Sequence, residues 1–274
     1  MRIIISPAKK MNIEMDLLAW DSLPQFLPET EKLAECLRSL EYEELKAVWK
    51  CNDKIAALNY ERLQSMDLKK TLTPAILSYE GIQYQYMAPQ VMEDKELLYV
   101  EEHLRILSGF YGILRPFDGV VPYRLEMQSR LPHFEVNTLY QFWNHRLFDA
   151  LSQETDCILN LASREYSKCI TAYNKGKQKI VTCVFGELID GMVKEKGTYA
   201  KMARGEMVRF LAGRQSENIE TAKEFDGLGY RFREELSDEC SYVFVKEGEA
   251  GYKCCRDSGV PAWLERRVDK AFSY

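Results

Sequence analysis

The stretch that decides the fold is DCILNLASREYSKCI, residues 156–170. Its first half, DCILNLA, is a largely apolar run of strand length, which is typical of a strand buried on both faces. Ser163 ends the run, and residues 164–170 favour a helix, because serine is a preferred residue at a helix N-cap. A buried strand followed at once by a helix predicts an α/β unit, whose polar groups at the strand's carboxyl end often bind ligands. Capping explains Ser163, whereas Asn160 needs hydrogen-bond partners if the strand is buried.

Further strands and helices are predicted on both sides of this unit. The predicted strands cover residues 2–6, 74–79, 179–185, 230–234 and 241–246. The predicted helices cover three segments within 29–66, then 94–104, 137–151 and 198–211. No repeat or long linker separates them, so we expect an α+β (mixed α/β) fold. It would be a single compact domain, residues 1–246, with a mixed sheet and surrounding helices, followed by a tail, 247–274, of unknown structure.

The charge is distributed unevenly. The chain has 274 residues and a formal net charge of −5, which by itself argues against nucleic-acid binding. Residues 160–214, however, contain eleven Lys and Arg against five Asp and Glu, a local excess of +6. Such a patch can attract a polyanion to one place on an acidic protein. The alternative is that these are ordinary solvated faces rich in lysine.

Composition disfavours several other classes of protein. No apolar run is long enough for a membrane span, and the amino terminus does not resemble a signal peptide, so we expect a cytoplasmic protein without a membrane partner. The eight cysteines form no C-x-x-C pair and are expected to be reduced thiols, although Cys254-Cys255 leaves a redox or metal role open. The three histidines have no metal-ligand spacing, so neither a metal site nor a cofactor is predicted.

A second stretch, LSGFYGILRPFDGVVPYRLEM at 107–127, has the composition of a site. Gly109 and Gly112 suit a tight turn and resemble the glycine hairpin of helix-hairpin-helix modules, whose amides hold a backbone phosphate. Arg124 and Glu126 are two residues apart, so they share one face if the chain is extended. Such a pair either orients a ligand or ties the fold together.

Two basic segments complete the set of candidates. In SPAKK, residues 6–10, Pro7 holds the chain extended and separates Ser6 from Lys9, which disfavours a nucleophile and base pair. Lys9 and Lys10 with the free amides of this turn are instead candidates for holding an anion, unless they are simply solvated.

The predicted helix 198–211 places Lys201 and Arg204 near one stripe. Glycine is unfavourable inside a helix, so Gly205 predicts the close approach of another backbone. A basic helix of this kind can bind phosphate, whereas the structural alternative is an ion pair of Arg204 with Glu126 or another carboxylate.

Taken together, six segments resemble the YaaA peroxide-stress protein family. They are IISPAK, LRILSGFYGILRPFD, PYRLEM, LYQFW, NLASREYSK and YAKMARGEMVRF, in the family's order across residues 1–246. The resemblance implies one domain with helices and a sheet around a positively charged cleft, and DNA binding with a helix-hairpin-helix-like element. It also implies a role in surviving hydrogen peroxide by limiting the free intracellular iron that damages DNA.

The resemblance also implies which residues line the cleft, with segment 107–127 as one wall facing residues 160–214. The residues carried over by motif are Lys9, Arg115, Tyr123, Arg124, Glu126, Asn160, Ser163, Lys201, Arg204 and Arg209. Charge and turn patterns, considered without the resemblance, add four DNA-binding candidates: Lys10, Gly109, Gly112 and Lys168.

Two functions of different class remain open at this point. The first is a non-enzymatic, monomeric DNA-binding protein that selects DNA structure rather than sequence and neutralises phosphates in the cleft. The second is an enzyme acting on a small anionic or nucleotide-like substrate, with Glu126 as the candidate acid or base. Direct iron binding is disfavoured because the chain lacks a clustered set of histidines and carboxylates.

Overall fold

A computed structural model describes residues 1–14 and 16–247 of the chain. The fold is mixed α/β, with one large sheet and helices around it. The strands are β1 Arg2–Ile5, β2 Lys10–Met11, β3 Thr73–Pro74, β4 Tyr79–Glu80, β5 Leu104–Ser108, β6 Gly112–Leu114, β7 Gly119–Val120, β8 Cys157–Leu161, β9 Lys179–Ile189, β10 Met192–Lys194, β11 Tyr230–Phe232 and β12 Ser241–Lys246. The α-helices are α1 Leu27–Arg38, α2 Tyr42–Trp49, α3 Asp53–Ser65, α4 Ala75–Ser78, α5 Ile82–Met87, α6 Asp94–His103, α7 Leu139–Trp143, α8 Arg146–Glu154, α9 Arg164–Thr171 and α10 Gly197–Arg214. Short 3-10 helices span Pro89–Val91, Ile219–Glu224, Gly227–Gly229 and Glu234–Leu236.

The large sheet has the strand order β11-β12-β9-β8-β1-β5-β6, with β10 paired to β9. The strands from β12 to β5 are parallel, and β11, β6 and β10 add antiparallel pairs. Strand β1 pairs with β5 on one side and with β8 on the other, so the chain changes direction across the sheet at β1. Ligands of open α/β sheets bind at such a switch point, beyond the carboxyl ends of the strands. We call that end of the sheet the carboxyl edge and the other end the amino edge.

The central strands are apolar because both of their faces are covered. Ile3, Ile4 and Ile5 are fully buried, as are Leu159 and Leu161 of β8. A continuous apolar run is what a parallel strand between two helical layers requires. Helices α5, α6 and α10 pack together in one group, and α8 packs against α9 in another.

Most predicted elements are confirmed to within a few residues. The predicted strand 156–162 is β8, and the predicted helix 164–170 is α9. The helical region 29–66 consists of α1, α2 and α3, and Asn52 caps α3 by accepting a hydrogen bond from the Ile55 amide at 3.0 Å. The fold class predicted from the sequence is therefore confirmed.

Two elements were predicted wrongly. The segment 137–151 is two helices, α7 and α8, because Asn144 adopts a φ of +48° that an α-helix cannot contain. The segment 74–79 is mainly the short helix α4, whose first amide hydrogen bonds go to the carbonyls of Asp118 and Pro116. Local propensity favours a strand there, but contacts with a distant turn determine the conformation.

The glycine turn at 109–112 is not part of a helix-hairpin-helix. It joins β5 to β6 as an antiparallel hairpin, with Ser108 paired to Gly112. Gly112 has a φ of +77°, and a side chain there would collide with Leu147 and Trp143. The glycines are thus explained by a tight β-turn inside the core.

The predicted tail lies outside the described residues from position 248 onward. In the described part, no helix combines the length and the apolar character that a bilayer crossing requires.

Candidate functional site

The carboxyl edge brings together the ends of β1, β5 and β8. Ser6 follows β1 and Ser163 follows β8, and the Ser6 Oγ accepts a hydrogen bond of 2.8 Å from the Ser163 amide. The two hydroxyl groups are also 3.2 Å apart. This contact joins the two strands at the switch point, where a ligand site is expected.

Glu126 is the charged centre of the site. Its carboxylate lies 2.8 Å from the Lys9 Nζ and 3.3 Å from the Arg124 Nη2. The Lys9 side chain is 64% exposed, whereas those of Arg124 and Glu126 are only 10% and 15% exposed. Arg124 also donates from Nε to the Trp49 carbonyl at 3.3 Å. Glu126 therefore fixes one buried cation and one cation that faces solvent.

A second carboxylate, Glu165, stands beside this centre in the first turn of α9. It accepts a hydrogen bond of 3.2 Å from the Gln128 amide, which joins the segment after Glu126 to α9. Burial raises the pKa of Glu165, and the negative charge of Glu126 raises it further, although the Gln128 hydrogen bond and Lys9 oppose the change. Lys9 thus forms an ion pair with Glu126 and acts on Glu165 only through its charge.

A layer of hydroxyl groups lies beneath the charged centre. The Tyr123 hydroxyl is 2.6 Å from the Ser108 Oγ and 2.8 Å from the Tyr79 hydroxyl. Burial raises the pKa of Tyr123 to about 12, so the ring stays neutral at physiological pH even though both hydrogen bonds act in the opposite direction. Tyr84 donates to the Ser6 carbonyl at 3.0 Å and ties α5 to the same edge. These hydrogen bonds connect the segments that carry Ser6 and Glu126 to the strands and helix beside them.

Asn160 and Ser163 are both explained by hydrogen bonds within the protein. The Asn160 amide donates to the Thr182 Oγ1 at 3.1 Å, and its carbonyl accepts from the Ala162 amide at 3.0 Å. Asn160 is 2% exposed, so it shapes the end of β8 and the turn that follows. Ser163 occupies the N-cap of α9, but its side chain makes no capping hydrogen bond and contacts Ser6 instead.

Four basic side chains on segments that contribute to the site are exposed: Arg130, four residues after Glu126, Arg164 and Lys168 in α9, and Lys201 in α10. We call them the basic rim. Among the described residues, none of the four forms an ion pair with a carboxylate, in contrast to Lys9. The Lys168 Nζ lies 5.0 Å from the centre of the Tyr140 ring, a cation–π contact. The rim therefore presents cationic charge to solvent.

Helix α10 contributes Arg204 and the close contact predicted at Gly205. A side chain on Gly205 would overlap the carbonyl of Gln83 in α5, so the expected approach of another backbone is confirmed. Arg204 does form an ion pair, as the structural alternative required, but its partner is Glu195, at 3.2 Å, rather than Glu126.

Comparison with known proteins assigns the chain to a family. A family model described as peroxide stress protein YaaA matches residues 1–236. The chain belongs to the YaaA peroxide stress protein family. It is 58% identical over 246 residues to UPF0246 protein DSY0297 of Desulfitobacterium hafniense, which covers 90% of this chain and 98% of that one. It is 52% identical to a UPF0246 protein of Pediococcus pentosaceus over the same shares of the two chains. A third relative, a UPF0246 protein of Lachnoclostridium phytofermentans, is 54% identical over 92% of this chain and 99% of its own.

The glycine pair that the turn pattern predicted as a phosphate contact does not reach the surface. Gly109 and Gly112 are both buried, so their amides are out of reach of a backbone phosphate. A Cβ on Gly109 would lie 2.7 Å from the Leu125 carbonyl oxygen. The glycine at 109 therefore allows the strand-like segment that carries Glu126 to cross the hairpin.

Three other predicted residues lie away from the charged centre at Glu126. Arg115 follows β6 at the amino edge, because Leu114 pairs with Ile106 in the middle of the antiparallel β5 and the next residue lies near Arg105. Arg209 lies five residues after Arg204, about 7.5 Å further along the helix, and faces Glu206. Lys10, on the small β2–β4 pair, is close to the centre in sequence but pairs with Glu80 at 2.7 Å.

Several residues of the site were not predicted from the sequence. Arg164 and Glu165 lie within NLASREYSK, so the charge pattern around Ser163 is a signal that could have found them, whereas Arg130 lies three residues beyond PYRLEM and had no such signal. Tyr84 belongs to α5, a helix of six residues that is too short to give a periodic pattern. Among the described residues, no cluster of three or more His, Cys, Asp or Glu side chains is arranged to hold a metal ion.

Proposed function

We propose that this protein binds DNA along the carboxyl edge of its sheet, and that this binding serves the peroxide stress role for which its family is named. The observation that carries the proposal is the basic rim, four exposed cations without carboxylate partners among the described residues. In the cell, the expected consequence is less free iron and less oxidative damage to DNA.

The expected mode of binding is contact with the phosphate backbone. Lys and Arg side chains that neutralise phosphates release counterions, so the affinity depends on salt and not on base sequence. The rim is a small set of cations on a chain with net charge −5. A confined cationic surface on an acidic protein favours DNA whose shape fits the edge, such as a bubble or junction, over long uniform duplex.

The salt dependence gives a quantitative test. With four phosphate contacts, the logarithm of the binding constant should fall with the logarithm of salt concentration with a slope of about −3.6, or about 150-fold between 50 and 200 mM. Fluorescence anisotropy with labelled duplex and bubble DNA measures this slope. Absence of binding to both at low salt would overturn the proposal.

A matched pair of variants locates the surface. The double variant Arg164→Glu/Lys168→Glu removes two rim cations and should reduce the slope to about −1.8. The control, Lys175→Glu/Lys177→Glu, makes the same change of charge in the exposed loop between α9 and β9, at the amino edge. Equal loss of affinity in both variants would show that net charge acts and that the rim is not the binding surface.

A second function is favoured by one observation, the raised pKa of Glu165 beside Glu126. A partly buried carboxyl group whose pKa is raised beside a second carboxylate is a candidate for general acid or base catalysis. The corresponding activity would be turnover of a small anionic or nucleotide-like substrate. Incubation with a panel of nucleotides, followed by chromatography, tests it, and the activity should disappear in Glu165→Gln.

A further inference from the structure

One tyrosine in the described part of the chain is exposed to solvent. Tyr199, in the first turn of α10, is 39% exposed, whereas every other described tyrosine is buried or half-buried. Among the described aromatic side chains, only Trp20 is similarly exposed, and it lies against Gly119 of β7. Tyr199 is therefore an exception to the way this protein places its tyrosines.

Two lysine side chains contact the Tyr199 ring. The Lys246 Nζ lies 4.2 Å and the Lys196 Nζ 5.9 Å from the centre of the ring, which is the range of cation–π contacts. No other ring among the described residues is contacted by two lysines. Lys196 is bound to Glu187 at 2.7 Å, whereas Lys246 forms no ion pair with a described carboxylate. Lys246 is therefore available to another anion.

The ring and its lysines lie at the carboxyl edge of the sheet. Lys246 is the last residue of β12, which runs parallel to β9, β8 and β1. Three strand spacings separate β12 from β1, so Lys246 lies about 14 Å along the edge from the switch point. Lys194, at the end of β10, is exposed and pairs in register with Glu187. We call Tyr199, Lys194, Lys196 and Lys246 the tyrosine patch.

The composition of the tyrosine patch points to one kind of ligand. Proteins bind single-stranded nucleic acid with cationic side chains that follow the backbone and aromatic rings on which the bases stack. Bases in a duplex already stack on each other, so only an unpaired base can use an exposed ring. The tyrosine patch offers a ring and two lysines, Lys194 and Lys246, that no described carboxylate binds.

Lys246 can change partners when a strand binds. In the free protein its ammonium group lies over part of the Tyr199 ring. A phosphate is a stronger partner for an ammonium group than the face of an exposed ring, because both of its members are charged. A bound phosphate would therefore draw Lys246 away from the ring and leave that face to the adjoining base.

We infer that Tyr199 stacks on an unpaired base of DNA while Lys246 and Lys194 contact the adjoining phosphates. This inference rests on the proposed function, since it assigns part of the DNA contact to a surface beside the basic rim. It also supplies a physical reason for structure-selective binding. A bubble or junction presents unpaired bases to the ring, and a uniform duplex does not.

Substitutions of the ring test the stacking. Tyr199→Leu removes the aromatic face and should weaken binding to single-stranded and bubble DNA about tenfold, a factor typical of the loss of one stacked base, while duplex binding stays unchanged. Tyr199→Phe keeps the ring and should bind as the unmodified chain does. The control Tyr173→Leu makes the same change next to Lys175 and Lys177, at the amino edge, and should leave all three affinities intact.

Two further measurements distinguish stacking from charge. 2-Aminopurine among thymines in a bubble loses fluorescence when it stacks on a ring, so binding should quench it with the unmodified chain and Tyr199→Phe but much less with Tyr199→Leu. Lys246→Gln should reduce the salt slope on single-stranded DNA by about 0.7, the value for one phosphate contact. Tyr199→Leu should leave that slope unchanged, because the ring contacts no phosphate.

The outcomes separate this inference from the proposed function. If the unmodified chain binds bubble DNA and Tyr199→Leu binds it equally well with equal quenching, the stacking is overturned and the basic rim stands. Equal losses in Tyr199→Leu and Tyr173→Leu would overturn it too, because the effect would then not be specific to the tyrosine patch. Absence of binding to every DNA would overturn both proposals. Loss of the preference for bubbles in Tyr199→Leu, with duplex binding retained and an unchanged melting temperature, would support both.

Discussion

Replacement of Gly205 by alanine tests the packing that holds α5 against α10. The added methyl group would overlap the Gln83 carbonyl and would lie 3.0 Å from both the Gln83 carbonyl carbon and the Met87 amide nitrogen. All three are backbone atoms, which cannot rotate away as a flexible side chain can. The two helices must therefore move apart.

The magnitude follows from two opposing effects. Overpacking of a filled interior costs about 1–3 kcal/mol. Alanine in place of glycine inside a helix returns about 0.5–1 kcal/mol. We expect a net loss of about 1–2 kcal/mol in the free energy of unfolding, and a melting temperature lower by about 2–8 °C for a chain of this size.

The same helix supplies the control. Gly213 is exposed near the end of α10, and a Cβ there would lie 3.4 Å from one side-chain oxygen of Glu96, an ordinary contact. Gly213→Ala should therefore gain the propensity benefit alone and become more stable by about 0.5–1 kcal/mol. Urea unfolding of the two variants measures the difference. If Gly205→Ala proved as stable as Gly213→Ala, the close approach of α5 and α10 would be refuted.

Further predictions concern other parts of the structure. Burial acts to raise the pKa of Glu154, but its hydrogen bonds, including one of 2.5 Å from the buried Arg105, outweigh burial and lower that pKa. The stabilisation that Glu154 provides is therefore present above about pH 5 and is lost as the pH falls through the lowered pKa. Glu154→Gln should cost about 3 kcal/mol at pH 7 and show a smaller loss of stability on acidification, measured by urea unfolding at pH 7 and pH 3. Tyr123→Phe removes a hydroxyl with two buried partners and should cost about 1–3 kcal/mol in the same assay, whereas an unchanged midpoint would contradict the hydrogen bonds. Gly109→Ala places a Cβ 2.7 Å from the Leu125 carbonyl oxygen and should cost about 1–3 kcal/mol and weaken DNA binding, measured by unfolding and anisotropy.

Features that depend on local pattern were predictable from the sequence. The apolar run 156–162 predicts β8, and the N-cap position of Ser163 predicts the start of α9. Gly205 was interpretable because a glycine inside a helix has a cost that only a close neighbour explains. The partner in that close contact, α5, was not predictable, because a helix of six residues gives no periodic pattern in the sequence.

Features that depend on distant partners were not predictable. Asn144 ends a helix through a positive φ that the amphipathic pattern of 137–151 does not reveal. Gly109 and Gly112 have the composition of a phosphate-binding turn, yet they are buried because the segment 125–127 and Trp143 pack on them. Composition indicates that a tight turn is present but not whether solvent or protein covers it.

The placement of the acidic residues explains how a chain of net charge −5 can present a cationic surface. Glu126 and Glu195 each bind an arginine that is largely buried, Arg124 and Arg204. A buried cation without a partner would be strongly unfavourable, so these carboxylates are needed for stability. The rim cations, by contrast, are exposed and require no partner. The ion pairs therefore neutralise the buried arginines, whereas the exposed cations keep their charge, so the residues that shape the site differ from those that we propose to contact DNA.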